Sequence, residues 1–232
     1  CNEDGGVVDD LIIYRNSDSD LFLIPNASNT TSVFEVLNSN CPTGIKVTNL
    51  HNDYAVLAVQ GPDSAKVLSE VGIVADLDYM SFVHTKIDNC PVILCRTGYT
   101  GEFGFEIIPA WKDAQQVWDK LVLAVSQLSG AICGLGARDL LRTEMGYPLH
   151  GHELSLTITP VEAGASWAVG WAKEEFRGRK VLLKQKESGS KLKLKAIVAT
   201  DRGIPRKDMQ VKDLNGQLIG VVTSGTFSPA LK

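Results

Sequence analysis

The sequence lacks the features that mark several common protein classes. It has no basic excess, because 27 acidic and 23 basic side chains give a formal net charge of −4, whereas nucleic-acid-binding domains usually carry a basic surface. Its apolar runs, such as residues 118–125, stay far below the roughly 20 residues that cross a bilayer. No basic-then-apolar signal segment opens the chain. We therefore predict a protein that binds neither nucleic acid nor membrane.

Familiar catalytic signatures are missing as well. Residues 98–104 (GYTGEFG) and 134–136 (GLG) depart from G-x-G-x-x-G, so no dinucleotide-binding fingerprint is present. There is no G-x-S-x-G nucleophile elbow. His150, His152 and Glu153 lie close together in sequence, but neither H-E-x-x-H nor a cysteine cluster supports them as metal ligands. We predict no metal site.

Cysteine usage favours a reducing compartment. The five cysteines form no C-x-x-C pair, and an odd number cannot all pair within one chain. We expect reduced thiols and a cytoplasmic protein, or one of the mitochondrial matrix if the source is eukaryotic. The N-glycosylation sequons at Asn26 and Asn29 are interpreted as chance matches.

Hydrophobic patterning predicts an α+β protein in which strands and helices are mixed rather than strictly alternating. The predicted strands are 7–14, 21–24, 45–49, 54–60, 80–87, 92–96, 103–108, 194–198 and 218–223. The predicted helices are 62–71, 111–128, 137–145 and 180–187. We expect a first domain over residues 1–188 and the beginning of a β-domain over 189–232, which the family resemblance given below implies is a β-barrel domain. Because few residues precede the turn at Gly5-Gly6, and 189–232 is too short for its own core, we expect both domains to be incomplete.

Two adjacent carboxylates stand out near the start. If residues 7–14 form a strand, alternation places Asp9 and Asp10 on opposite faces, each among apolar neighbours. Desolvation raises the pKa of a carboxyl group, and such groups are common at functional sites. The alternatives are an edge strand, or carboxylates that accept hydrogen bonds from the Gly5-Gly6 turn.

Glu106 and Arg138 are further candidates. Alternation over residues 103–108 puts Phe103, Phe105 and Ile107 on one face and Gly104 with Glu106 on the other, where glycine allows a close approach; a solvated outer face is the alternative. Arg138 lies in the first turn of a predicted helix, against the helix dipole. A cation at this end of a helix is electrostatically unfavourable, so its presence indicates either a functional role or a structural salt bridge.

Six motifs, in order along nearly the whole chain, resemble the aminomethyltransferase family, the T-proteins of the glycine cleavage system. They are GGVVDDLI at 5–12, VQGP at 59–62, GYTGE at 98–102, GLGARD at 134–139, TPVEA at 159–163 and TSG at 223–225. The resemblance implies a three-lobed fold around a tetrahydrofolate site. It also implies transfer of a one-carbon unit from an aminomethyl group on the lipoyl arm of the H-protein to tetrahydrofolate, with release of ammonia.

The resemblance also implies roles for individual residues. Asp10 corresponds to the family's carboxylate beside the reactive folate nitrogens and is the expected general base, although Asp9 is the alternative. Asn26, Tyr99, Glu106, Arg138 and Trp167 match positions that line the folate pocket. Glu106 would bind the amino-pyrimidine edge of the pterin, Tyr99 and Trp167 would offer flat apolar surface to rings, and Arg138 would be a buried cation.

Three other functions are compatible with a protein of this type. One is a folate-binding factor for iron–sulfur assembly, but that group carries a K-G-C-Y-x-G-Q-E stretch where this chain reads WAKEEFRG at 171–178. Another is the folate domain of a sarcosine or dimethylglycine oxidising enzyme, which would be fused to a flavin domain. The third is a module that only binds folate or a lipoyl carrier.

Overall fold

The computed structural model describes residues 1–230. It divides into two compact units, the first made of Cys1–Val47 with Gly146–Lys232 and the second of Thr48–Met145. The predicted domain boundary after residue 188 lies inside the first unit and stays a prediction. Residues 231 and 232, at the end of the predicted β-barrel segment, lie outside the described residues.

Both units contain helices and strands, so the predicted mixture of α and β structure is confirmed. In chain order the elements are β1 (Ile12–Ser17), β2 (Asp20–Ile24), α1 (Thr30–Ser39), β3 (Leu57–Gln60), α2 (Ser64–Glu70), β4 (Phe82–Ile87), β5 (Cys90–Cys95), β6 (Gly104–Pro109), α3 (Ala114–Gln127), α4 (Leu135–Glu144), α5 (Arg179–Ser188), β7 (Gln210–Lys212) and β8 (Leu218–Val221). Short 3-10 turns lie at Ala27–Asn29, Trp111–Asp113 and Ser166–Ala168. No helix within residues 1–230 is long and apolar enough to cross a membrane.

The second unit is built on a four-stranded antiparallel sheet with the spatial order β3-β6-β5-β4. β6 is therefore an interior strand. In its register, Gln60 lies opposite Gly104, and Glu106 lies between Ala58 on one side and Cys95 on the other. Glu106 is thus held on a backbone that has a paired strand along both edges.

One face of this sheet forms the core of the second unit together with α2 and α3. Leu68, Leu94, Phe105, Ile107 and Val117 are all completely buried there. Because successive strand residues point to opposite faces, burial of Phe105 and Ile107 leaves Gly104 and Glu106 on the other face. The predicted division of faces is confirmed for Gly104 to Ile107, whereas Phe103, which was predicted on the buried face, lies before β6 and is 41% exposed.

The first unit contains the β1–β2 hairpin, α1, α5 and the β7–β8 hairpin. A small core formed by Val7, Leu154 and Ala163 joins the start of the chain to the segment that follows residue 146. The backbone N–H of Val7 donates to the carbonyls of Ser155 at 2.8 Å and Ile158 at 3.0 Å. These contacts fix the residues that precede β1.

The predicted strand over residues 7–14 is wrong in its first half. β1 begins only at Ile12, so Asp9 and Asp10 lie in an irregular segment before it. The alternation argument for these two carboxylates therefore does not apply. The physical reason is that Val7 hydrogen-bonds with residues 155–158, and the two carboxylates accept hydrogen bonds from Asn26 instead of extending a strand.

Other local predictions also fail. The predicted strands at 45–49 and 194–198 are absent from the described structure, where Ile45 closes a turn with Pro42 and Leu194 donates a single hydrogen bond to Glu162. Sequence patterning missed α1, whose first residues are threonine, serine and valine, all weak helix formers. Its buried Val33 indicates that tertiary packing stabilises this helix.

Candidate active site

The segment that carries Asp9 and Asp10 is positioned by a close approach between backbones. A Cβ atom on Gly6 would lie 1.8 Å from the carbonyl oxygen of Leu156, so only glycine fits there. The next residue, Val7, is buried and hydrogen-bonded to the same region. The two carboxylates therefore follow directly after a fixed stretch of chain.

Asn26 binds both carboxylates. Its side-chain Nδ2 donates to Oδ1 of Asp9 at 2.7 Å and to Oδ1 of Asp10 at 2.9 Å, and its backbone N–H donates to Oδ2 of Asp9 at 3.0 Å. Asn29 holds the same segment through a 2.6 Å hydrogen bond to the carbonyl of Val8. The structure therefore brings together two of the predicted site residues, Asp10 and Asn26.

The two carboxylates differ in how many of their oxygens are occupied. Both oxygens of Asp9 accept hydrogen bonds from Asn26. For Asp10, only Oδ1 accepts one within the described chain, which leaves Oδ2 available to a ligand. Asn26 thus binds both oxygens of Asp9 but only one oxygen of Asp10.

Electrostatics also single out Asp10. Although the residue is exposed, desolvation of its carboxyl group raises its pKa above the ordinary value of 3.8. The hydrogen bond from Asn26 opposes this rise in pKa, and the neighbouring charge of Asp9 adds to it. A carboxyl group with a raised pKa is a stronger base, as general-base catalysis requires.

Two more residues of the first unit bear on this region. His150 interacts electrostatically with Asp10, and its buried Nε2 has no hydrogen-bond partner in the described structure. Sequence analysis considered His150 only as a metal ligand. The predicted pocket residue Trp167 lies in the 3-10 turn Ser166–Ala168 with 86% of its surface exposed, and its role stays a prediction.

In the second unit, Glu106 lies on the sheet face opposite the core. Its Oε2 accepts a 2.6 Å hydrogen bond from Oγ1 of Thr97, a residue that is 1% exposed. Gln60 lies beside them and donates from Nε2 to the carbonyls of Phe105 at 2.9 Å and Thr97 at 3.3 Å. Sequence analysis did not identify Thr97 or Gln60, although the nearby glycines at 98 and 104 were a signal of close packing.

Tyr99 and Arg138 form the other predicted pair of this unit. The guanidinium carbon of Arg138 lies 4.4 Å from the centre of the Tyr99 ring, within cation–π distance. Arg138 is exposed, so its prediction as a buried cation is wrong. The buried cation of this helix is Arg142, which is 2% exposed and donates to Oδ1 of Asp139 from both Nε and an Nη atom.

The chemical groups in the two units are carboxylates, amides, a histidine and a stacked arginine–tyrosine pair. No group of three or more histidine, cysteine or acidic residues in the described chain could hold a metal ion. The first unit offers an oriented base. The second offers an oriented carboxylate acceptor and a flat cationic and aromatic surface.

Comparison with known proteins identifies the family. The model of the GCVT N-terminal domain matches residues 1–173 of this chain. The chain belongs to this family. The resemblance to aminomethyltransferases is thereby confirmed, with residues 1–173 accounting for most of the 232.

Relatives and a solved structure agree with this family. The chain is 53% identical over 232 residues to the aminomethyltransferase of Mycobacterium avium (strain 104) and covers 63% of that protein. It is also 53% identical to the aminomethyltransferase of Parafrankia sp. (strain EAN1pec), of which it covers 64%. The crystal structure of glycine cleavage system aminomethyltransferase T from Bartonella henselae matches with a TM-score of 0.86 at 32% identity, over 99% of this chain and 63% of that one. The chain thus spans less than two thirds of the length of these relatives.

Proposed function

We propose that this GCVT-family chain belongs to an aminomethyltransferase of the glycine cleavage system. It would transfer a one-carbon unit from an aminomethyl group on the lipoylated H-protein to tetrahydrofolate and release ammonia. The observation that carries the proposal is the Asp9–Asn26–Asp10 arrangement, in which one carboxylate is fully hydrogen-bonded and the other keeps an oxygen available.

The proposed reaction requires a base at the folate nitrogens. Two carbon–nitrogen bonds to the folate form, while the bonds from the same carbon to the amine and to the lipoyl sulfur break. The two folate N–H protons end up on the departing ammonia and on the sulfur. Asp10 would accept the proton of the attacking nitrogen through Oδ2, while Asn26 holds its other oxygen.

Recognition of the folate rings is assigned to separate residues. Glu106 would accept hydrogen bonds from the amino-pyrimidine edge of the pterin, since a carboxylate pairs well with two parallel N–H donors. Tyr99 and Arg138 would offer a flat stacked surface, and Trp167 an exposed indole. Asn26 would act indirectly, by orienting Asp10.

The decisive experiment follows both products at once. The full-length protein is mixed with aminomethyl-loaded H-protein and tetrahydrofolate, and ammonia and methylenetetrahydrofolate are measured together. Equal formation of the two products, and only with tetrahydrofolate present, would support the proposal. If folate binds but neither product forms, the transferase proposal fails, and a binding module or an assembly factor takes its place.

Asp10→Asn and Asp9→Asn form a matched pair of variants for the base. We expect Asp10→Asn to lower turnover by roughly 10²–10⁴, the usual contribution of a general base, while tetrahydrofolate binding is retained. Asp9→Asn should affect stability more than the chemical step, because both oxygens of Asp9 bind Asn26. Normal turnover in Asp10→Asn would exclude this carboxylate as the base.

A further inference from the structure

Glu106 lies beside a fixed polar group on the sheet of the second unit. Gln60 on β3 lies opposite Gly104 on β6, two residues before Glu106. A Cβ atom at Gly98 would lie 2.0 Å from Oε1 of Gln60, and one at Gly104 would lie 2.2 Å from it. Two glycines therefore leave the space that this one amide side chain fills.

The Gln60 amide holds the backbone on both sides of the Glu106 carboxylate. Its Nε2 donates to the carbonyl of Phe105, the residue before Glu106, and to the carbonyl of Thr97. Thr97 is thereby fixed in position, although it lies two residues beyond the end of β5. Gln60 therefore braces the backbone from which the hydroxyl of Thr97 reaches the carboxylate.

The Thr97–Glu106 hydrogen bond orients the carboxylate without occupying all of its hydrogen-bond acceptor sites. At 2.6 Å it is short, as expected for a hydroxyl that donates to a carboxylate, and the near-complete burial of Thr97 keeps water from competing. In the described residues, Oε1 of Glu106 accepts no hydrogen bond, and no lysine or arginine forms an ion pair with this side chain. Thr97 uses one lone pair of Oε2, so both oxygens of Glu106 can still accept a hydrogen bond from a ligand.

We infer that Thr97 is a positioning residue for ligand recognition and that Gln60 holds the backbone of Thr97 in place. By holding Oε2 through one of its lone pairs, Thr97 presents the carboxylate edge of Glu106 in a single orientation to a ligand with a planar edge of paired N–H donors, such as an amino-pyrimidine. The inference rests on the proposed function, because that function supplies a ligand of this chemistry. It extends the proposal by assigning selectivity for the N–H edge to Thr97.

The test measures binding of tetrahydrofolate to the full-length protein by calorimetry, with an analogue that lacks the 2-amino group as a second ligand. Thr97→Val keeps a similar shape and removes the donor, so we expect about tenfold weaker binding of tetrahydrofolate, as for loss of a hydrogen bond to a charged group. Binding of the analogue should change less, so the preference between the two ligands shrinks. Thr97→Ser should restore most of the affinity.

The Glu106→Gln background separates positioning from a general structural effect. There, Thr97→Val should change binding less than about twofold, because the charged group that it orients is gone. Thr85→Val, on β4 of the same sheet, is the matched control and should leave binding unchanged. A crystal structure of Thr97→Val should show Glu106 in more than one side-chain conformer.

Each alternative result has a distinct meaning. If wild type does not bind tetrahydrofolate, the proposed function fails and this inference fails with it. If wild type binds and Glu106→Gln weakens binding, but Thr97→Val does not, only the positioning role is overturned. An equal effect of Thr97→Val in both backgrounds, or a single unchanged conformer of Glu106, would also overturn it.

Discussion

Gly104→Ala tests the packing around the Gln60 amide. The backbone permits alanine, because Gly104 is not among the glycines with positive φ. The new methyl group would lie 2.2 Å from Oε1 and 2.4 Å from Cδ of Gln60, so the amide must move. In wild type, therefore, the cost of the substitution is set by the contacts that Gln60 loses.

Those contacts give the expected magnitude. Moving Gln60 breaks its hydrogen bonds to Phe105 O at 2.9 Å and Thr97 O at 3.3 Å, together with a marginal 3.5 Å hydrogen bond from Thr100 Oγ1 to Oε1. Each hydrogen bond contributes about 0.5–1.5 kcal/mol, and the longer one lies at the weak end, so we expect a loss of about 1–2 kcal/mol. Replacing glycine by alanine also stabilises the protein by about 0.4–1 kcal/mol, because it lowers the conformational entropy of the unfolded chain. The net destabilisation should lie within about 0–1.6 kcal/mol, with a midpoint of about 0.8 kcal/mol.

The effect of Gly104→Ala on stability should change from destabilising to stabilising once the Gln60 side chain is removed. In a Gln60→Ala background the obstructing amide is gone, so Gly104→Ala should stabilise the protein by about 0.4–1 kcal/mol. Urea unfolding followed by far-UV circular dichroism measures all four proteins of the cycle. Gly136→Ala is the control, because no atom lies within 4 Å of its added Cβ, and it should be stabilising in both backgrounds. A stabilising Gly104→Ala in wild type would refute the reasoning.

Four further outcomes are expected. Leu94→Ala, at a completely buried core position, should lower the free energy of unfolding by about 2–5 kcal/mol in thermal or urea unfolding. Because the pKa of Asp10 is raised, the acid limb of turnover should lie above 3.8, and Asn26→Ala should move it higher by removing the hydrogen bond that lowers this pKa. Because the folded state holds this proton more tightly, the contribution of Asp10 to the free energy of unfolding is fully present below pH 3.8. It is lost as the pH rises through the folded-state pKa of Asp10. Asp10→Asn should therefore gain stability over wild type across that range in urea unfolding. Arg138→Gln, which removes an exposed stack on Tyr99, should change stability by no more than about 1 kcal/mol but weaken folate binding in calorimetry.

Periodicity predicts the parts of the fold that a single buried face determines. Phe105 and Ile107 on β6, and Val117 and Leu121 on α3, are buried as their spacing indicates. Each of these residues packs on one continuous core, so the local pattern carries the information. The same pattern puts Trp118 on the buried face of α3, yet 38% of its surface is exposed.

The carboxylate segment could not be predicted in the same way. A strand at residues 7–14 is a sound expectation from alternation, but the backbone of Val7 finds its partners at Ser155 and Ile158, nearly 150 residues away. Local sequence does not encode such a partner. Arg138 and Arg142 show the same limitation. The helix-dipole argument draws attention to Arg138, but packing between residues distant in sequence buries Arg142 and leaves Arg138 exposed.

The Asp9–Asp10 pair shows how one amide can give adjacent identical side chains different properties. Asn26 has two N–H donors on its side chain and one on its backbone. Asp9 takes the backbone donor and shares the side-chain donors with Asp10. The carboxylate with both oxygens bound anchors the segment, whereas its neighbour keeps one oxygen and a raised pKa. Asn26 therefore distinguishes two chemically identical carboxylates by the number of their oxygens that it binds.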